Sequence, residues 1–378
     1  MPQKIAIVGA GIVGLSQAWL ASEQGHQVTI FERNHAAIDA SIRNFGMIWP
    51  IGQTPGLHYQ TALRSRARWL KFAAASGLWI KECGTIHLAH RPDEWQVLRE
   101  FAELAPDAGI SCELLSREGV LSRTPAANPD GLLGGLWSST ELCVNPRVAI
   151  SALASWLQAT QGIKIHFSTP VVAATPEYVQ TATGQKHSFD QLLVCSGADI
   201  QTLFPQEFAN TGLKLCKIQM LRTVPQPANW WIGPHLASGL TLRHYASFGI
   251  CPSLPQLRAR IASETPELDQ WGIHVMASQH ETGEVTLGDS HEYGADITPF
   301  EKSSIDDAML RELHKIITLP TWQIQNRWVG LYAKNTQGLY WQAQPFPNIR
   351  LLTGMGGAGM TMSLGIAERN WQEGLMHV

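Results

Sequence analysis

Two kinds of hydrophobic spacing alternate along this chain. Residues 4–8 (KIAIV) are an unbroken β-branched run, the mark of a strand buried on both faces of a parallel sheet. A helical pattern runs from about Ile12 to Glu23, Gly25 stops it, and residues 27–33 (QVTIFER) form the next strand. Together they make a β-α-β unit of about 30 residues. Residues 56–75 repeat at helical period, with Leu63, Ala67, Leu70 and Ala74 on the apolar face and Arg64, Arg66 and Arg68 on the solvated one. Residues 84–90 read as a strand, 92–109 as a helix with Pro at its start and Gly at its end, 131–137 as a glycine-rich strand and 145–162 as a helix. Residues 163–176 and 191–198 read as further buried strands.

From about 213 to 330 the spacing changes to strict alternation. "KLCKIQMLRTV", "GLTLRHYASF" and "IHVMASQHETGEVTLGDS" read as antiparallel strands with one wet face, interrupted by a helix at 303–318. The run 349–353 returns to the buried parallel style. No Pro- or Ser-rich linker and no fixed-period repeat divides the chain, so the two styles belong to interleaved lobes.

Composition narrows the class. The 378 residues exceed one ordinary core. A net charge of −3 provides no basic footprint for nucleic acid. The six cysteines (83, 112, 143, 195, 216, 251) include no C-x-x-C pair and none stands at ligand spacing from histidine, so no metal site is expected. They read as small buried thiols of a reducing compartment. Glycines interrupt the apolar N-terminal run, no cleavage site follows, and no stretch is long enough to span a bilayer. A cytoplasmic protein is therefore expected. Most of the fourteen tryptophans are expected in the core.

"GAGIVG" places Gly9, Gly11 and Gly14 at G-x-G-x-x-G spacing between a strand and a helix. Gly9 permits the tight turn, Gly11 lets the backbone approach a pyrophosphate, and Gly14 lets the helix lie close to the strand. The free N–H groups around Ile12 and Val13 face the anion. Glu32 ends the second strand, 18 positions after Gly14, where a carboxylate accepts from a ribose diol, with Arg33 beside it. This loop alone does not separate FAD from NAD.

The second glycine loop, "TGMGGAGMT", decides between them. Gly354, Gly356, Gly357 and Gly359, followed by Met360 and Thr361, join a strand to a helix. If residues 349–353 enter the same sheet, this loop lies at the redox end of the dinucleotide. Glycines leading into a helix N-terminus offer close backbone approach and N–H donors to a flat flavin ring. "VCSGAD" brings Ser196 and Gly197 to the cofactor, and "TPVVAA" places the backbone of Val171 or Val172 beside the adenine.

These parts, with "ASIRNFGMIWP", span nearly the whole chain and resemble the FAD-dependent amino-acid oxidase superfamily, the glycine oxidase, sarcosine oxidase and D-amino-acid dehydrogenase group. The strings "ASIRNFGMIWPIGQ", "LRHYASF" and "GDSHEYG" are similar to a bacterial branch tied to aminophosphonate catabolism. The resemblance implies an α/β fold with a discontinuous Rossmann-type FAD-binding domain (1–83, 140–212 and 325–378) interleaved with an antiparallel-sheet α+β substrate-binding domain (84–139 and 213–324). It also implies that Ser41, Arg43, Asn44 and Gly46 contact the cofactor and that Met47 lines its ring. Relatives that bind a free carboxylate carry arginine in the segment matching "WVGLYAKN"; here Tyr332 stands there. No cysteine follows Cys251, so non-covalent FAD is expected.

The implied reaction is oxidation of a small neutral amine, with hydride transfer from C–H to flavin N5 and hydrolysis of the imine to an aldehyde. The flavin carries the chemistry and no obligatory catalytic side chain is expected. Oxygen or another acceptor reoxidises the flavin. The substrate is expected to be 2-aminoethylphosphonate or its N-methyl derivative. The alternatives are a sarcosine, glycine or D-amino-acid oxidase or dehydrogenase, and a non-catalytic flavin-binding protein. Candidate ligands for the anionic group are Arg222, Arg243, His244, Tyr245, Arg327, Tyr332, His58 and Tyr59. Strand alternation would keep Arg243, His244 and Tyr245 from sharing one pocket. His291 reads as a satisfied loop histidine, and Asp289 and Glu292, which would repel an anion, read as structural.

Overall fold

The structure is a computed structural model that describes residues 1–209, 211–294 and 297–372. Residue 210 and the last six residues of the expected FAD domain, 373–378, lie outside the described residues.

The buried β-branched runs assemble into one six-stranded sheet, in the order Trp341–Phe346, Ile349–Thr353, Gln191–Val194, Lys4–Val8, Gln27–Phe31, Lys164–His166. Five of these strands run parallel and Trp341–Phe346 is an antiparallel edge. Val8 pairs with both Phe31 and Val194, and Val194 in turn with Leu351. The first and last strand–glycine–helix units thus stand one strand apart. Helix Gly359–Gln372 packs on helix Ile12–Glu23, where the Trp371 indole N–H donates to Gln17 (2.9 Å). It also packs on helix Leu57–Ser76 so closely that a Cβ on Gly365 would sit 2.0 Å from Thr61 O.

That second contact corrects the expected face of Leu57–Ser76. Ala67 and Ala74 are exposed, and the buried stripe is Thr61, Ala62, Ser65, Trp69 and Phe72. A tight helix crossing needs small polar residues where a hydrophobic tally sees none. Arg68 is not solvated either: it donates to Glu23 (2.7 Å) and Glu368 (2.6 Å) and ties three helices together.

The alternating segments form a larger sheet, in the order Glu292–Gly294, Leu213–Thr223, Val285–Gly288, Met276–Gln279, His235–Ala237, Thr85–Ala89, Gly134–Ser138, Glu113–Ser116. It is antiparallel except where His235–Ala237 pairs with Thr85–Ala89. Ile324–Asn335, which the expected boundary at 325 puts in the cofactor lobe, pairs along its length with Leu213–Thr223, from Thr223↔Ile324 to Leu213↔Asn335. Its Asn335 N–H then bonds Gly354 O (2.8 Å), so this strand joins the two lobes. Val171–Ala174 is not a buried strand but the edge of a small antiparallel sheet with Tyr178–Thr181 and Lys186–Ser188.

"GLTLRHYASF" forms no strand. It folds as two short 3-10 turns, Gly239–Arg243 and Ala246–Ile250. Twelve of the fourteen tryptophans belong to the apolar clusters or pack against them, while Trp79 and Trp231 meet each other edge to face (6.4 Å). Among the described residues no helix is long and apolar enough to cross a membrane.

Candidate functional site

A cavity of about 550 Å³ runs between the lobes. One end is made of backbone. Gly9 holds φ +102, and a Cβ there would lie 2.4 Å from Cys195 O; a Cβ on Gly14 would lie 2.0 Å from Gly9 O. Helix Ile12–Glu23 therefore meets its strand with no side chain between, and Gly11 caps it with no side-chain hydrogen bond. The Ile12 N–H donates to Ser41 Oγ (3.0 Å). The Glu32 carboxylate accepts from Ala10 N and Asn34 N (both 2.9 Å), which fixes it at the cavity wall. Arg33 pairs with Asp199.

The C-terminal loop closes on the same space. A Cβ on Gly359 would touch Ile12 Cγ2 (3.7 Å), and one on Gly357 would touch Tyr332 Oη (3.7 Å). The loop is held by Thr353, whose Oγ1 donates to Gly197 O (2.6 Å), and by Thr361, whose Oγ1 accepts from Trp49 N (2.9 Å).

All of the residues expected at the cofactor line this cavity except Gly14 and Gly46. The lining includes Gly9, Gly11, Ile12, Val13, Glu32, Arg33, Ser41, Arg43, Asn44, Met47, Val171, Val172, Ser196, Gly197, Gly354, Gly356, Gly357, Gly359, Met360 and Thr361. Gly46 has a packing reason instead: φ is +74 and a Cβ would lie 1.9 Å from Val144 O. Arg43 is partly spent on carbonyls, donating to Ile38 O (2.7 Å) and Val329 O (3.2 Å).

The substrate candidates divide. His244, Tyr245 and Tyr332 line the cavity; Arg222, Arg243, Arg327, His58 and Tyr59 do not. Arg222 bonds Asn326 (3.0 Å) and Arg327 pairs with Asp306 (3.1 Å). Arg243 pairs with Asp269 (2.9 Å) and donates to the carbonyls of Leu240, Leu268 and Ile273 (2.8–3.2 Å). Tyr59 is buried in the apolar core and His58 lies in the first turn of Leu57–Ser76. Because 239–250 turns rather than extends, His244 and Tyr245 face the cavity together, against the alternation expected of a strand.

The wall has members that sequence reasoning missed or set aside. His274, Met276, Asp289, His291, Trp49 and Lys334 all line it. His291 is thus a cavity residue, as is Asp289, whereas Glu292 pairs with Lys217 (2.9 Å) and Lys302. The signal for His274 lay in its place at the start of the alternating segment 273–290, and the signal for His291 in its place just after the end of that segment. Gly52 lets Trp49 and Tyr245 approach, since a Cβ there would be 2.5 and 2.7 Å from their rings.

Burial sets the charges of this wall. It pushes His291 down to about 4 and holds His244 and His274 well below the ordinary imidazole value, so all three rings are neutral at pH 7. The same burial raises Asp289 well above the usual carboxylate range and keeps Tyr245 and Tyr332 as phenols.

A dinucleotide fits the backbone end: glycines that admit no Cβ, a helix N-terminus whose cap residue Gly11 has no side chain, with Ile12 N–H met by Ser41 Oγ, and an anchored carboxylate are the set that a diphosphate and a ribose require. The comparisons agree. The profile of the family DAO, FAD dependent oxidoreductase, matches residues 4–369. A subunit of the opine oxidase of Rhizobium meliloti is 26% identical over 235 residues, 58% of this chain and 62% of that protein. The chain spans less than two thirds of the length of the first curated relatives it matches. Glycine oxidase from Bacillus cereus superposes with a TM-score of 0.77 at 17% identity, over 99% of this chain and 95% of that one. The L-α-glycerophosphate oxidase from Mycoplasma pneumoniae, a structure with FAD bound, gives 0.75 at 17% identity, over 99% and 95%. A backbone cradle for FAD at one end, a polar wall at the other and a family match along nearly the whole chain lead to one conclusion: this protein belongs to the DAO family of FAD-dependent oxidoreductases.

Proposed function

We propose that the protein oxidises a small amine bearing a compact tetrahedral anion, 2-aminoethylphosphonate or its N-methyl derivative. The observation that carries this reading is the make-up of the wall facing Gly357. A planar carboxylate is matched by one guanidinium fork, whereas three phosphonate oxygens are matched by separate donors spread around them. Among the described residues of the substrate half, the polar wall has Tyr245, Tyr332, Lys334, three imidazoles and Asp289, whose carboxyl is pushed by burial towards its uncharged form, and the candidate arginines are bonded elsewhere.

Bound FAD supplies the hydride acceptor for the carbon beside the amine nitrogen; the imine released then hydrolyses to an aldehyde. The chain's own part is positioning. Trp49, Met47 and Met276 make the apolar portion of the wall and exclude water. We take FAD to be non-covalent, because Cys195, the described cysteine that lines the cavity, lies at the Gly9 end. Oxygen or another acceptor completes the cycle, and the six free thiols suit the cytoplasm.

The test is anaerobic mixing of the purified yellow protein with 2-aminoethylphosphonate, its N-methyl derivative, glycine, sarcosine and D-alanine. Bleaching of the flavin by an aminophosphonate at least tenfold faster than by the amino acids is the expected result. No bleaching by either aminophosphonate sinks the reading. A second reading, glycine or sarcosine oxidation, is favoured by the likeness to glycine oxidase, and the same panel decides between them.

A further inference from the structure

Three imidazoles meet on the cavity wall. His244 follows the turn Gly239–Arg243, His274 precedes strand Met276–Gln279, and His291 precedes strand Glu292–Gly294. One ligand nitrogen from each lies within 4.8 Å of the others, and the His244 and His274 ring centroids are 3.7 Å apart. His274 is 2% exposed and neither of its ring nitrogens has a hydrogen-bond partner. Asp289 Oδ1, also without a partner, stands 3.4 Å from His274 Nε2, and Oδ2 stands 3.8 Å from His291 Nε2.

Packing alone is a poor account of this cluster. A core histidine normally finds a bond for its ring, as His235 does with Leu142 O (3.2 Å) and His280 with Phe45 O (3.0 Å). His87 also lacks partners, but its ring neighbours are Trp49 and Phe248, and burial alone, with no charged group among the described residues, shifts it. Among the described residues, Arg243 and Lys334 are the cations whose charges act on His274. Neither answers the imidazoles: Arg243 is bound to Asp269 and three carbonyls, and Lys334 Nζ lies beside Tyr293 Oη (3.3 Å).

The geometry points to a divalent transition-metal site, Zn²⁺ by preference, held by His244, His274 and His291 with its open coordination position facing the cavity. Imidazole nitrogen suits this borderline ion. Nitrogens on a tetrahedral zinc, each about 2.0–2.1 Å from the metal, stand ~3.4 Å apart, so binding the ion turns the His244 and His274 rings out of their present 3.7 Å ring-on-ring contact until their nitrogens converge. His291 Nδ1 lies 3.2 Å from Gly272 O; donating its proton there leaves the Nε2 lone pair for the metal. Asp289 stands as the outer carboxylate that orients His274 and offsets the added charge. Three protein ligands with one open position is the arrangement of zinc that binds substrate rather than zinc that only holds a fold. If the function proposed above holds, on which this last step rests, a phosphonate oxygen takes the open position and the ion replaces an arginine clamp.

Holoenzyme stripped with a chelator, and checked to retain its flavin absorbance, is titrated calorimetrically with Zn²⁺. A separate stripped sample is titrated with Co²⁺ in place of Zn²⁺, because its visible bands report tetrahedral nitrogen ligation. The expected result is one Zn²⁺ per chain, with uptake weakened roughly 100-fold in His274→Gln and His291→Gln at an unchanged flavin-to-protein ratio. His244→Asn, at a half-buried position, covers the case in which a buried substitution costs the fold, and is expected to weaken uptake at least tenfold. A stripped wild-type enzyme that takes up no Zn²⁺, or variants that bind it as tightly as wild type, overturns the site. The anion's role is read separately by titrating methylphosphonate against the flavin spectrum. Binding at least tenfold weaker after stripping supports the role, and equal binding overturns it. Failure of the aminophosphonate reading has a different signature: one Zn²⁺ is bound, but no aminophosphonate bleaches the flavin.

Discussion

The two ends of the cavity are built by different means. The nucleotide end is backbone: Gly9, Gly11 and Gly14 come from one six-residue loop, and their meaning lies in the side chains they lack. The substrate end is side chains: Trp49, Tyr245, His274, His291 and Tyr332 arrive from five separate segments and meet only in the folded protein. A backbone site tolerates almost no addition, whereas a side-chain site tolerates exchange. This is how one cofactor grip serves many substrates.

The comparison breaks first at Gly9. Gly9→Val must place a branched Cβ at φ +102, 2.4 Å from a backbone carbonyl that cannot move without its strand. The purified variant is expected to be largely colourless, with flavin content down at least tenfold and a lowered melting temperature. Near-stoichiometric flavin in this variant would refute the backbone account of that end.

Arg243 and Arg327 sharpen the other side. Arg243→Ala leaves Asp269 and the carbonyls of Leu240, Leu268 and Ile273 without their donor, and is expected to cost about 3 kcal/mol in urea unfolding. Arg327 is half exposed and makes a single pair with Asp306, so Arg327→Ala should cost no more than ~1 kcal/mol. Flavin reduction by substrate should be unchanged in Arg327→Ala. A large rise in KM there would make this arginine a substrate ligand after all.

Acid separates the lobes last. The buried histidines among the described residues (His87, His235, His274, His280 and His291) all belong to the lobe of the larger sheet. Burial lowers His87 from 6.5 to about 3, so the fold holds it neutral. Its contribution is complete above pH 6.5 and is lost as pH falls from there towards 3, because the unfolded chain takes the proton first. Between pH 6.5 and 4.5 this costs about 2–3 kcal/mol. His87→Leu should flatten that part of the stability curve, measured by urea unfolding at the two pH values; an equal slope in variant and wild type would remove His87 from the account.

What could be read in advance follows the same division. The β-α-β unit, both glycine loops and Glu32 are local patterns with a local cause, and the structure brings them to one cavity. The wall was hidden because its signals are long-range. "GLTLRHYASF" alternates like a strand, yet Ser238 O accepts from Thr241 N (3.0 Å), and the backbone turns to pack Leu240 and Leu242 into the core. With the turn, His244 and Tyr245 share one side and Arg243 becomes an anchor. Arg222, Arg243 and Arg327 were plausible ligands by charge alone; only the positions of Asn326, Asp269 and Asp306, each distant in sequence, show where those guanidinium groups are used. Ser65 and Thr61 were passed over in Leu57–Ser76 because helix crossings select for small size, which hydropathy does not measure.

One strand sets an order of assembly. Gln191–Val194 lies between Lys4–Val8 and Ile349–Thr353 and is paired with both. On the ribosome, its far edge must wait more than a hundred and fifty residues for the neighbour that covers it. A nascent chain that has finished Val194 can already offer the diphosphate grip, but the cup for the ring does not exist until Gly359 has emerged. Cofactor capture is therefore staged, its first half available early and its last half closing only once the second glycine loop has been made.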